Sequence, residues 1–111
     1  MSYNILATKN FEKELKILAK KYSSLKDDLK NLFYDLAKNP TMGVSLGKNC
    51  YKIRFAISSK GKGKSGGARI ITYVFNQSNE TIIYLLTVYD KSKKEKISDK
   101  ELKSLLKNLM Q

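Results

Sequence analysis

The chain has 111 residues, 41% of them hydrophobic, and carries 22 Lys or Arg against 10 Asp or Glu, for a net charge of +12. That length gives one domain, 1–111, with one modest core, and that charge favours nucleic acid, an anionic surface or an acidic protein as partner. Histidine is absent and Cys50 is the single cysteine, which excludes an internal disulfide, His–Cys metal sites and imidazole acid–base chemistry.

Residues 2–7 read as a short strand, and Thr8 offers its hydroxyl as a helix N-cap. Phe11, Leu15, Leu18 and Tyr22 then recur at the spacing of one helix face. Ser23-Ser24 breaks that helix. Ser24 and Asp27 resemble a capping box for a second helix, with Leu25, Leu29, Leu32, Phe33 and Leu36 on one side and an end near Asn39-Pro40. So short a link predicts an antiparallel helical hairpin. Residues 41–49 read as a loop. From Cys50 the period becomes two: Tyr51, Ile53, Phe55 and Ile57 face the helices, and Lys52 and Arg54 face away. The polar run Ser58 to Gly67 follows. Strands over Ala68–Phe75 and Thr81–Tyr89 are apolar on both faces, the first in a central position. The last helix begins at Ser98, with Glu101 completing a capping box and Ile97 and Leu102 placed for a hydrophobic staple. Leu102, Leu105, Leu106 and Leu109 form its apolar stripe. The expected fold is α+β, ordered β-α-α-β-β-β-α, with a twisted antiparallel sheet on the helical hairpin and a basic cleft on the opposite face.

The charge is not spread evenly. Between Asp35 and Glu80 there are eight Lys or Arg residues and no acid, and this stretch holds both arginines of the chain, Arg54 and Arg69. A planar, permanently charged fork suits phosphate better than an ammonium does. The run GKGKSGG matches a dinucleotide fingerprint literally at Gly61, Gly63 and Gly66, but a strand follows where that motif needs a helix. It reads instead as a mobile cationic loop in which Lys60, Lys62 and Lys64 grip a nucleic-acid backbone, with Lys48 beside them. Lys52 and Arg54, two apart on a strand, share a face, and Arg69 opens the next strand. RNA cleavage by its own 2′-hydroxyl passes through a phosphorane with extra negative charge, which fixed cations stabilise. Each charge in a crowded cationic site disfavours the next, which favours the neutral form of a lysine there, and the free amine can then act as general base without histidine. Tyr89 is either a packing residue or a phenol that stacks on a base or orients the scissile group. Lys91, Lys93, Lys94 and Lys96 read as a basic surface.

The segments YKIRFAISSKGKGKSGGARIITYVF and IIYLLTVYDKSKKEKIS, with the leucine-rich tail, resemble the RelE/HigB toxins of bacterial type II toxin–antitoxin systems. The GKGKSGGAR loop is similar to the HigB-like branch. The resemblance spans the chain. It implies a metal-independent, cofactor-free endoribonuclease (an mRNA interferase) that enters the ribosomal A site, cuts mRNA and leaves 2′,3′-cyclic phosphate and 5′-hydroxyl ends. It also implies a cognate antitoxin protein, operator DNA reached only through the toxin–antitoxin complex, no membrane and a cytoplasmic location. By position, the resemblance makes Lys52, Arg54, Arg69, Tyr89 and Lys91 catalytic; the charge pattern makes Lys48, Lys60, Lys62, Lys64, Lys93 and Lys94 RNA- or ribosome-binding. Ile97 stands where some relatives have a tyrosine. A ParE-like gyrase inhibitor and a plain basic nucleic-acid-binding module are the competing expectations.

Overall fold

The computed structural model describes residues 2–109. Its elements are β1 (Ser2–Ala7), α1 (Lys9–Lys21), α2 (Leu25–Lys38), β2 (Val44–Gly47), β3 (Cys50–Phe55), a single 3-10 turn (Ser58–Lys60), β4 (Ala68–Gln77), β5 (Glu80–Asp90) and α3 (Asp99–Leu109). The α+β fold expected from the sequence is borne out, with two differences. The segment read as a loop, 41–49, contains the short edge strand β2. The sheet, ordered β1-β5-β4-β3-β2, is antiparallel except where β1 pairs parallel with β5.

Local chemistry accounts for most boundaries. Thr8 Oγ1 accepts from the Phe11 N–H at 3.1 Å and donates to the Leu85 carbonyl at 2.9 Å, so the same hydroxyl caps α1 and moors it to β5. At the start of α3, Ser98 Oγ accepts from the Glu101 N–H at 3.1 Å, while Glu101 Oε1 accepts from the Ser98 N–H at 3.3 Å. Ile97 and Leu102 pack in one cluster beside that box, as a staple does. The box expected at α2 does not form. Ser24 Oγ donates to Asp28 Oδ2 at 2.8 Å and lies 2.9 Å from Ser59 Oγ, a tie to a distant loop that outcompetes the local cap.

Two apolar clusters sandwich the sheet. Phe11, Leu25, Leu29, Leu32 and Leu36 of the hairpin pack on Ile53, Phe55, Ile57, Ile70, Ile83, Leu85 and Val88. Each such side chain contributes about 1.5–3 kcal/mol on full burial. The opposite face is not left open, as the sequence led one to expect. There α3 lays Leu102, with Leu105, Leu106 and Leu109, over Cys50, Ile71, Leu86 and Tyr89. The cationic side chains therefore share their face with a helix that covers only part of it.

One irregularity decides what that face presents. The β4–β5 register runs Ile71↔Thr87 and then Thr72↔Leu85, leaving Leu86 as an extra residue in β5. A bulge of one residue reverses the alternation beyond it. Leu85 and Val88 consequently both face the hairpin core, and Tyr89 comes round to the face that carries Arg69.

Candidate nucleic-acid interface

Arg54 pairs with Arg69 across β3 and β4, and Arg69 pairs with Tyr89 across β4 and β5. These three side chains form one row on one face. Lys52, opposite Ile71, lies one row further along the same face. Like charges set directly opposite each other on a sheet cost roughly 0.2–1 kcal/mol. Among the described residues, no carboxylate forms an ion pair with either guanidinium.

The two arginines differ sharply in setting. Arg54 is exposed. Arg69 is 3% exposed, and its guanidinium donates from Nη1 to the carbonyls of Lys64 (2.9 Å) and Ala68 (3.0 Å) and from Nη2 to that of Ser65 (3.4 Å). Burial first, then Arg54, lowers its pKa, and Tyr89 opposes the shift; a guanidinium so placed is still charged at neutral pH. Arg69 is thus oriented by the Gly/Lys loop, and the loop is held by Arg69. Tyr89 is 6% exposed, and its hydroxyl finds no hydrogen-bond partner among the described residues. Burial pushes the phenol pKa up, against the pull of Arg69. The Lys94 ammonium lies 5.5 Å from the Tyr89 ring centre and pairs with Glu101.

The loop between β3 and β4 is less free than its composition suggests. Asp28 accepts from the N–H (2.9 Å) and hydroxyl (2.5 Å) of Ser58, which holds the Asp28 carboxyl below its ordinary range despite partial burial. Lys60 Nζ donates to Asp90 at 2.8 Å, so this ammonium, read from the sequence as uncompensated, is paired with an acid 30 residues away. Gly67 passes so close to β3 that an added Cβ would sit 2.1 Å from the Phe55 carbonyl oxygen. Its own carbonyl accepts from the Lys91 N–H at 3.1 Å. Lys62 and Lys64 are exposed at the loop tip.

That loop and the turn after β5 are the two walls of a cleft of about 510 Å³, lined by Lys60, Lys62, Lys91, Lys93 and Lys94, with Ser65, Gly66, Ser92 and one acid, Glu95. Lys48 lies apart, in the β2–β3 turn, where Lys48 (φ 55°) and Asn49 (φ 62°) both adopt left-handed backbone, the signature of a type I′ hairpin. The structure therefore gathers Lys52, Arg54, Arg69 and Tyr89 on one sheet face and Lys60, Lys62, Lys91, Lys93 and Lys94 around the adjoining cleft. Sequence reasoning missed Asp90, Tyr22 and Asp28, which hold the loops. Asp90, at the end of an apolar strand, was the one visible signal. Among the described residues, no cluster of His, Cys, Asp and Glu could hold a metal ion, and no helix is long and apolar enough to cross a membrane.

The described residues thus form a small basic sheet domain in which no carboxylate pairs with the two arginines on one face, and loops are pinned around a lysine-rich cleft. The family described as the RelE toxin of the RelE/RelB toxin–antitoxin system matches residues 3–110. The chain belongs to that family, and is a toxin of a toxin–antitoxin system. A solved structure of the E. coli toxin RelE, a double arginine-to-alanine mutant in the free state, superposes with a TM-score of 0.60 at 17% identity, covering 97% of this chain and 98% of that one. This second likeness is one of fold.

Proposed function

We propose that the chain acts as a single toxin domain, 1–111, that cleaves mRNA on the ribosome and so arrests translation in the cytoplasm until a cognate antitoxin neutralises it. The observation that carries this reading is the opposed, carboxylate-free pair Arg54 and Arg69 beside a buried Tyr89 hydroxyl. Two cationic side chains on paired positions of adjacent strands are relieved by an anion bound between them, and that relief grows as negative charge builds on a phosphorane. In this mechanism Arg69, braced by the loop, and Arg54, reaching from solvent, hold the scissile phosphate. Lys52, one row away, takes the 2′-hydroxyl proton. Tyr89, or Lys91 at the cleft wall, assists the departing 5′ oxygen. The products are a 2′,3′-cyclic phosphate and a 5′-hydroxyl, formed without a metal because fixed cations supply the charge stabilisation. Lys48, Lys62, Lys64, Lys93 and Lys94 hold the flanking RNA backbone. Operator DNA is met only through the complex with the antitoxin.

The test is to induce the protein and map new RNA ends. New 5′-hydroxyl ends inside translated frames support the nuclease. Growth arrest with a DNA-damage response and no such ends supports gyrase inhibition instead. Salt-sensitive RNA binding without growth arrest supports a plain binding module.

A further inference from the structure

Asp90 is the most heavily engaged buried acid among the described residues. It is 2% exposed and sits at the end of β5, between Tyr89 on the cationic face and the turn that walls the cleft. Its carboxylate accepts from Tyr22 Oη (2.5 Å), Lys60 Nζ (2.8 Å), Ser92 Oγ (2.7 Å) and the Ser92 N–H (2.9 Å), with Lys21 Nζ at 4.0 Å. The N–H groups of Lys93 and Lys94 donate to its backbone carbonyl at 3.0 and 3.1 Å. Each partner belongs to a different segment. Tyr22 caps α1, Lys60 ends the first turn of the β3–β4 loop, and Ser92 opens the turn after β5. The Lys60 side chain is only 10% exposed and its ammonium also lies 5.6 Å from the Tyr22 ring centre, so this charge is turned inward.

We propose that Asp90 is a positioning residue that sets the spacing of the two cationic walls for RNA, and that Lys60 serves as its strut and not as an RNA contact. This rests on the reading that the cleft takes RNA. The geometry supports it because one carboxylate reaches both walls at once. A buried carboxylate that satisfies several donors in fixed directions holds them more rigidly than separate surface pairs would.

The probe is a single-stranded RNA oligonucleotide bearing 2′-O-methyl groups throughout, which cannot be cleaved through the 2′-oxygen. Its binding is measured by fluorescence anisotropy at fixed salt for wild type, Asp90→Asn, Lys60→Met and the double variant. Amide hydrogen exchange is followed over 58–67 and 91–94. Each single variant is expected to bind about 5–10-fold more weakly. Exchange should quicken in both segments and stay unchanged in β4 and α2. The double variant should bind no more weakly than the worse single, because the two residues act as one unit. Single effects that multiply in the double variant would overturn the proposal, since Lys60 would then meet RNA on its own. An Asp90→Asn protein that binds like wild type would overturn it too. Should Asp90→Asn not fold, Tyr22→Phe removes one bond to the same carboxylate, and unchanged affinity with unchanged exchange would be the contrary result. A wild type that binds the oligonucleotide but cuts no mRNA defeats the nuclease reading alone. A wild type that does not bind it defeats the proposal about Asp90, while new 5′-hydroxyl ends in translated frames would still uphold the nuclease reading.

Discussion

Tyr89→Phe separates stability from function in a single atom. The hydroxyl of Tyr89 is buried, lacks a hydrogen-bond partner among the described residues and lies beside Arg69. An unpaired buried hydroxyl costs about 1–3 kcal/mol of desolvation. The neighbouring guanidinium offsets part of that, so its removal should stabilise the protein by about 1 kcal/mol. For 111 residues, with an unfolding entropy of roughly 2.1 cal/mol/K per residue, this raises the melting temperature by about 4 °C. The ring, which packs with Ile71, Leu86 and Leu102, is retained. If the hydroxyl assists the leaving oxygen, the rate of mRNA cleavage on purified ribosomes should fall about 10²-fold at the same time. Thermal melts and a single-turnover cleavage assay measure the two effects on one preparation. A lower melting temperature would refute the burial argument. An unchanged cleavage rate would remove Tyr89 from the chemistry and leave it a packing residue.

Gly67→Ala should destabilise the fold by about 2 kcal/mol or more, because its Cβ would collide with backbone and not with a movable side chain; denaturant melts check this, and a neutral result would mean that β3 and the loop give way easily. Two acids, Asp90 buried and Glu14 half-buried, give opposite pH signatures. Asp90, held far below its ordinary value of 3.8 by Lys60, Tyr22 and Ser92, contributes stability that is complete above about pH 4 and lost as pH falls. Glu14, whose pKa burial raises above 4.5 against hydrogen bonds from Thr87, Val88 and Asn10, should cost stability as pH climbs past that value. Melting temperatures from pH 3 to 7 should therefore flatten at the acid end for Asp90→Asn and at the upper end for Glu14→Gln, and parallel curves would contradict both assignments.

What was legible in the sequence was local. The Ser98–Glu101 box, the Ile97–Leu102 staple and the Thr8 cap each lie within a few residues, and all three form. The period-two pattern of β3 placed Ile53 and Phe55 in the core and Lys52 and Arg54 outside it. What escaped was set by distance. β2 is a four-residue edge strand with one partner, so its sequence VSLG shows no alternation of burial. Parallel pairing of β1 with β5 joins residues nearly eighty positions apart. The bulge at Leu86 lies in a strand apolar on both faces, where a shift of parity leaves no trace in hydropathy, yet it decides that Tyr89 faces Arg69. Charge misled in the same way: a stretch without acids in sequence was supplied with one in space, when Asp90 met Lys60. The site residues on strands could be placed from alternation, whereas those on the loops depended on long-range bonds.

The central claim is that Arg54 and Arg69, paired across β3 and β4, hold the scissile phosphate. Arg54 tests it most cleanly, because it is exposed and, among the described residues, its side chain forms no hydrogen bond or ion pair that would be lost. The measurement is the single-turnover rate of mRNA cleavage on purified ribosomes for wild type and Arg54→Ala, beside their melting temperatures. The expected result is a fall of about 10²-fold or more in rate with a melting temperature equal to or slightly above wild type, since a like-charge pair has been relieved. A variant that cuts at the wild-type rate would contradict the claim.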